Sequence, residues 1–134
     1  MSSLQLDDGV RTLLVTKLDS YEKLEIMRAL RGARPAMSRS ELEAACRLSS
    51  DAVDDALLSL ERSKLVERDP VDHRIRAGAA SADPCFAALM QTYDEDRAAV
   101  LAVLSSAVMQ RLRNMAAQAF ADAFVIRKKR GDDG

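Results

Sequence analysis

From Asp94 to Lys128 the chain carries neither Gly nor Pro. A stretch of that length admits little but helix, roughly 30 residues and about 45 Å if straight. Its apolar positions are Leu101, Leu104, Val108, Leu112, Met115, Ala119, Ala123 and Ile126, with steps of 3, 4, 4, 3, 4, 4 and 3. The period is eleven residues rather than seven. Phe120 and Phe124 widen the stripe, and Arg127-Lys128-Lys129-Arg130 closes it, where cations suit the helix dipole. Such a helix is longer than a domain of this size needs to cover itself. Its stripe either packs back on residues 1–19 and its own domain or pairs with a second copy. A homodimer through Leu101, Leu104, Val108, Leu112, Met115 and Ala119 is the expectation.

Helix is predicted upstream as well, because the whole chain of 134 residues has three Pro and five Gly. In residues 1–19, Val10, Leu13, Leu14 and Leu18 have helical spacing, with Asp7 or Asp8 as N-cap, although the run also suits an edge strand. Asp19 and Glu22 have capping-box spacing, with Ser20 the alternative cap. Leu24, Ile26, Met27 and Leu30 follow, and Gly32 is placed to end that helix. Arg34-Pro35 begins a linker. Ser38-Arg39-Ser40-Glu41 is a full capping box, flanked by Met37 and Leu42 as a hydrophobic staple. It opens a two-turn helix with Leu42, Ala45 and Cys46 inward. After Arg47-Leu48, Ser49 or Ser50 caps a third helix whose inward stripe is Val53, Ala56, Leu57 and Leu60.

Leu65-Val66-Glu67-Arg68 and His73-Arg74-Ile75-Arg76 are β-capable runs around the turn Asp69-Pro70-Val71-Asp72, which predicts a small hairpin. Gly78 and the small residues after it form a connector. Asp83-Pro84 is a helix start with Pro at the first position, and Phe86, Leu89, Met90 and Tyr93 can share a face. Asp94-Glu95-Asp96 marks either a second start or an acidic turn.

The order of helix, short capped helix, tight turn, third helix and hairpin resembles winged helix-turn-helix transcriptional regulators of the broad MarR and ArsR type. The likeness covers residues 20–77. It is carried by Ser40-Glu41-Leu42-Glu43-Ala44-Ala45, Leu48-Ser49, Val53, Ala56-Leu57, Leu60-Glu61 and Leu65-Val66-Glu67-Arg68. Lys64 departs from it, standing where such regulators have Gly before the wing. The fold class expected is mainly α with a small β-hairpin. An N-terminal helical segment (1–19) precedes a winged helix-turn-helix domain (20–78) and C-terminal helices (83–130). The resemblance implies a bacterial-type DNA-binding transcription regulator whose third helix enters the major groove of double-stranded DNA. The long C-terminal helix makes a homodimer the expectation, and two cysteines without an export signal make a cytoplasmic protein the expectation. Candidate DNA-binding residues are Arg39, Arg47, Ser50, Arg62, His73, Arg74 and Arg76.

Charge argues partly the other way. The third helix leaves Asp51, Asp54, Asp55, Leu58 and Arg62 facing out, and carboxylates are repelled by phosphates. Residues 20–77 hold 11 basic and 11 acidic side chains, and the whole chain has a net charge of −1. The arginines therefore suit either phosphate contacts or ordinary surface ion pairs. A winged-helix module that binds another protein instead of DNA is the second reading.

Other classes find little support. Aromatic residues make up 4% of the chain with no Trp, so stacking platforms for single strands are not expected. One His excludes histidine-based metal cages, and no metal, cofactor or catalytic residue is indicated. Asp94-Glu95-Asp96 is not a metal site, since consecutive helical residues diverge by about 100°. No run of 18 apolar residues could span a bilayer, and no signal peptide is seen. Cys46 and Cys85 read as reduced thiols, with Cys85 open to activation at its helix start.

Overall fold

The computed structural model describes residues 6–32 and 36–132, with side chains to residue 125. The elements are α1 (Asp8–Thr16), α2 (Tyr21–Leu30), β1 (Ala36–Met37), α3 (Arg39–Cys46), α4 (Ser50–Arg62), β2 (Val66–Arg68), β3 (Ile75–Ala77), a 3-10 turn (Ala79–Ala82), α5 (Pro84–Glu95) and α6 (Arg97–Asp132). The chain divides into two compact units, Met1–Leu104 and Ser105–Gly134. The linker beginning at Arg34-Pro35 and the side chains of Ile126 and Arg127 to Arg130 lie outside the described residues.

Hydroxyl and carboxylate caps set the helix starts. Ser38 Oγ accepts from the Glu41 N–H, and Ser49 Oγ accepts from the Ala52 N–H. Asp83 accepts from the Cys85 N–H ahead of Pro84 at the first turn of α5. Asp96 breaks the chain between α5 and α6 and accepts from the Ala99 N–H, so the acidic triplet contains a helix start. Each cap satisfies a backbone donor that the helix leaves orphaned.

Three local expectations are corrected. Ser20, not Asp19, caps α2, because Asp19 instead pairs with Lys23 Nζ at 2.6 Å. Gly32 follows the C-cap Arg31 without a left-handed φ, so no αL cap closes α2. Ala45 is exposed, and α3 buries Leu42 and Cys46 alone. Residues 8–16 are helix and not strand, with Asp7 at the N-cap position but making no side-chain cap bond.

The wing is a three-stranded antiparallel sheet in the order β1-β3-β2. The hairpin is as read from the sequence; β1, which precedes α3, adds the third strand. Met37 is a buried strand residue, and both it and Leu42, the residues expected to form the staple, belong to the core. Two close approaches tie the hairpin base to the end of α4. Gly78 N–H donates to the Leu65 carbonyl at 2.8 Å, and Ala80 N–H donates to the Lys64 carbonyl at 3.0 Å. Lys64 turns the chain with φ 62, in the left-handed region. A Cβ on Gly78 would lie 2.4 Å from the Lys64 carbonyl oxygen, so Gly is required there by contact.

The first unit has one continuous core. α1 supplies Val10, Leu13 and Leu14; α2 supplies Leu24, Ile26, Met27 and Leu30; α4 supplies Val53, Ala56, Leu57 and Leu60. α5 adds Phe86, Leu89, Met90 and Tyr93, and the first turns of α6 add Val100 and Leu104. One charged side chain is buried with them. Glu25 accepts from Tyr93 Oη at 2.5 Å and lies 3.6 Å from Arg97 Nη1. Arg97 also sits over the Tyr93 ring, 5.5 Å from its centroid. Burial, with Glu25 second, pushes the Tyr93 hydroxyl pKa up and keeps it a donor.

In the second unit α6 carries its apolar residues exposed: Leu112 is 53% accessible, Met115 61% and Phe120 75%.

Gly78→Ala is expected to destabilise the protein by about 1–3 kcal/mol, because the backbone at Lys64 has to move. Lys64→Gly is expected to stabilise it by up to about 1 kcal/mol, by relieving the left-handed strain. Tyr93→Phe should cost about 1–3 kcal/mol by leaving the Glu25 carboxylate short of a donor. Urea unfolding of the three variants measures each difference.

Candidate nucleic-acid interface

Packing of α3 on α4 and the wing beside them brings most of the polar residues singled out above onto exposed surface. The α4 stripe Val53, Ala56, Leu57 and Leu60 is buried, which turns Asp51, Asp54, Asp55, Leu58 and Arg62 outward. Ile75 is fully buried in the wing, so its neighbours Arg74 and Arg76 leave by the opposite, exposed face.

The arginines do not stand free. Arg39, the first residue of α3, grips Asp54 of α4 with two parallel bonds, Nε to Oδ1 at 2.5 Å and Nη2 to Oδ2 at 2.8 Å. Its Nη2 is also 3.8 Å from Glu43 Oε1. Hydrogen bonding to Asp54 raises the Arg39 pKa still further. Glu43 in turn accepts from the Ser50 hydroxyl. Arg74 Nη1 lies 3.3 Å from Glu41 Oε1 and donates to the Ala36 carbonyl at 3.4 Å, joining the wing to the start of α3.

Arg76 faces Glu67 across the β2–β3 ladder, where directly opposed side chains share a face. Its Nε donates to Glu67 Oε1 at 2.8 Å, and its Nη1 is 3.9 Å from Asp69 Oδ2. Donation to the Glu67 carboxylate raises the Arg76 pKa. Arg68 pairs with Glu61 at 3.0 Å.

Arg47, Arg62 and His73 differ: among the described residues none of them makes an ion pair. Arg47 closes α3 at φ 56, and His73 turns the wing tip at φ 61. The tip is organised by Asp69, whose Oδ1 accepts from the N–H groups of Val71 and Asp72. Those two bonds hold the Asp69 carboxyl below its ordinary pKa.

Sequence reasoning placed the cations and left their partners out. Glu41, Glu43, Asp54 and Glu67 are what determine the charge of this surface. Glu43, four residues after Arg39 on α3, and Glu67, opposite Arg76 across the hairpin, had a sequence signal as partners, whereas Asp54 was marked only as an outward acid and Glu41 only as a capping-box residue. Of the six residues expected on the α6 stripe, Leu104 belongs to the first unit's core and Leu101 packs against it. Val108, Leu112, Met115 and Ala119 are exposed.

Away from this face, a cleft of about 470 Å³ opens beside α2, with Glu25, Arg28, Arg31, Cys46 and Asp94 among its walls. Arg28 holds Asp94 at 3.1 Å. Burial, then Glu25, pushes the Cys46 thiol up to about 11. Cys85 is also raised, first by burial and then by Asp83, which overturns the expectation that its helix start activates it. Both thiols are free. Among the described residues no group of three or more His, Cys, Asp or Glu could hold a metal ion. No described helix is long and apolar enough to cross a membrane.

No protein-family model matches the sequence, and no curated protein matches it. Solved structures do resemble it. A MarR family protein from Bacillus stearothermophilus is 19% identical with a TM-score of 0.50, over 84% of this chain and 83% of its own. A MarR family transcription regulator is 19% identical at 0.47, over 90% and 82%. MepR, a transcription regulator of the Staphylococcus aureus multidrug efflux pump MepA, is 16% identical at 0.47, over 86% and 90%. The first of these likenesses shows a shared winged-helix fold.

Cys46 provides a pH test. Its thiol pKa is higher folded than unfolded, so the stability it contributes is complete below about pH 9 and is lost as pH rises toward about 11. Native protein at pH 8 is expected to react with a disulfide reagent at Cys46 about 100-fold more slowly than unfolded protein. Mass spectrometry of the modified cysteines reads the ratio.

Proposed function

We propose that this chain is a winged-helix transcription regulator, with no catalytic role, that binds double-stranded DNA as a homodimer in a bacterial-type cytoplasm. The observation that carries the reading is the exposed outward face of α4 set beside a β-ribbon bearing Arg74 and Arg76. A helix and wing in that arrangement suit a major groove and its flanking phosphates. Arg47 and Arg62 make no ion pair among the described residues, His73 adds a polar ring at the wing tip, and Arg39, Arg74 and Arg76 contribute once their partners yield. Ser50 is a neutral donor at the start of α4. On this reading residues 20–78 are the DNA-binding domain and residues 83–130 the dimerisation region.

Dimerisation is supported by the exposed apolar residues of α6. Val108, Leu112 and Met115 lie exposed along one face of the helix, and Phe120 and Phe124 are exposed on an adjoining face. Sustained apolar exposure of this kind marks an association site.

A second reading is favoured by one observation: Asp51, Asp54 and Asp55 all lie exposed on α4. A face of that sign suits a protein partner without DNA.

Two measurements decide. In a gel-shift titration on random duplex, the DNA reading expects binding that falls by about tenfold or more between low and moderate salt. Arg47→Ala with Arg62→Ala should weaken it further, by about 3- to 30-fold. No binding at low salt, with Arg74→Ala and Arg76→Ala both silent, selects the protein-partner reading. Sedimentation tests the dimer: the intact chain is expected to be dimeric, and Leu112→Asp with Met115→Asp monomeric. A monomeric intact chain ends the dimer reading.

A further inference from the structure

The winged-helix face carries its own competitor for phosphate. Five carboxylates occupy three of the candidate arginines: Asp54 and Glu43 on Arg39, Glu41 on Arg74, and Glu67 and Asp69 on Arg76. We propose that these carboxylates act as a built-in antagonist, so that the surface is a restrained DNA binder whose partner must displace them before Arg39, Arg74 and Arg76 are available. The inference rests on the DNA reading given above and adds a regulatory role for acidic residues that the reading itself treats as an obstacle.

The geometry supports displacement in place of a permanent lock. The Arg39–Asp54 contact is the two-point fork that guanidinium also offers to a phosphate, so one ligand can replace the other without a new side-chain shape. Arg76 is held by the ladder register, and both it and Glu67 are at least half exposed. Ion pairs this exposed are weak in water and are screened by salt. None of the three arginines is buried; the Arg39–Asp54 pair joins α3 to α4 and the Arg74–Glu41 pair joins the wing to α3, beside the buried core that also holds these elements. The carboxylates therefore set the affinity of the face more than its shape.

Position matters more than total charge. Glu41, Glu43, Asp54, Glu67 and Asp69 each touch a guanidinium of the face, whereas Asp8, Glu22 and Glu95 touch none of these three arginines. Neutralising the first kind frees a cation and removes a nearby negative charge together. Neutralising the second kind changes only the distant field.

The test uses the intact chain and a fluorescein-labelled random-sequence duplex, followed by anisotropy from about 50 to 200 mM potassium chloride. Three proteins are compared: the native chain, a face variant (Glu43→Gln, Asp54→Asn, Glu67→Gln) and a charge-matched control (Asp8→Asn, Glu22→Gln, Glu95→Gln). The face variant is expected to bind about tenfold tighter than the native chain, with a salt slope steeper by about one to two, while the control changes by less than about threefold. Equal tightening in face variant and control overturns the proposal, because net charge alone would then explain it. Unchanged or weaker binding by the face variant also overturns it, and leaves the DNA reading intact. Absence of duplex binding by all three proteins removes the DNA reading itself and the proposal with it. Circular dichroism checks the fold; if the triple variant loses helix, Asp54→Asn and Glu67→Gln are read singly, each expected to tighten binding about twofold.

Discussion

Helix α2 is the element on which the first unit is assembled. It buries Leu24, Glu25, Ile26 and Met27 in succession. Neighbouring helical residues are about 100° apart, so four in a row cover most of the circumference. A helix on a surface could not do this. α2 packs against α3, α4, α5 and β3, and that central position obliges it to bury a carboxylate. Glu25 is tolerated there because Tyr93 of α5 donates to it and Arg97 of α6 lies close by. An unpaired buried charge would cost far more than either contact supplies.

From that centre the winged helix follows by packing. α3 and α4 are fixed against α2, and the wing is fixed to both by Met37 in β1, the Arg74–Glu41 pair and the closure of Gly78 on Lys64. Three non-glycine residues with positive φ stand at its turns: Arg47 after α3, Lys64 after α4 and His73 at the tip. Each is a turn where glycine would be easier and where a cationic or titratable side chain is presented to solvent instead. The surface that results is strongly charged but locally neutral. Arg39, Arg68, Arg74 and Arg76 are matched by carboxylates from the same few elements, and this agrees with the even balance of charge along residues 20–77.

Much of the architecture was legible in the residues. The Ser38 to Glu41 capping box, the Ser49 cap, the Asp83-Pro84 start and the stripe Val53, Ala56, Leu57, Leu60 are local signals, each set by atoms within one or two turns. β1 was not legible, because two residues have no period to read; only pairing with Ile75 and Arg76 makes them a strand. Ser20 was preferred to Asp19 because Lys23, four residues on, holds the Asp19 carboxylate, a competing local pair that the capping-box pattern does not weigh. At the candidate interface the sequence marked Arg39, Arg74 and Arg76 but not their state. Val100 was missed from the α6 stripe because what it packs against is core and not a further turn of the same helix.

The amino-acid sequence by itself determined that most of the chain is helical, the starts at Ser38 and Asp83, the inward stripe of the third helix and that a hairpin follows it. These depend on backbone donors, side-chain caps and periodicity, all of which act over a few residues. Tertiary structure alone decided that Glu25 is buried against Tyr93, that Arg39 is clasped by Asp54 fifteen residues away, and that Lys64 is bent left-handed beneath Gly78. Coulombic and packing contacts act through space between groups distant along the chain, and no local pattern encodes which two will meet.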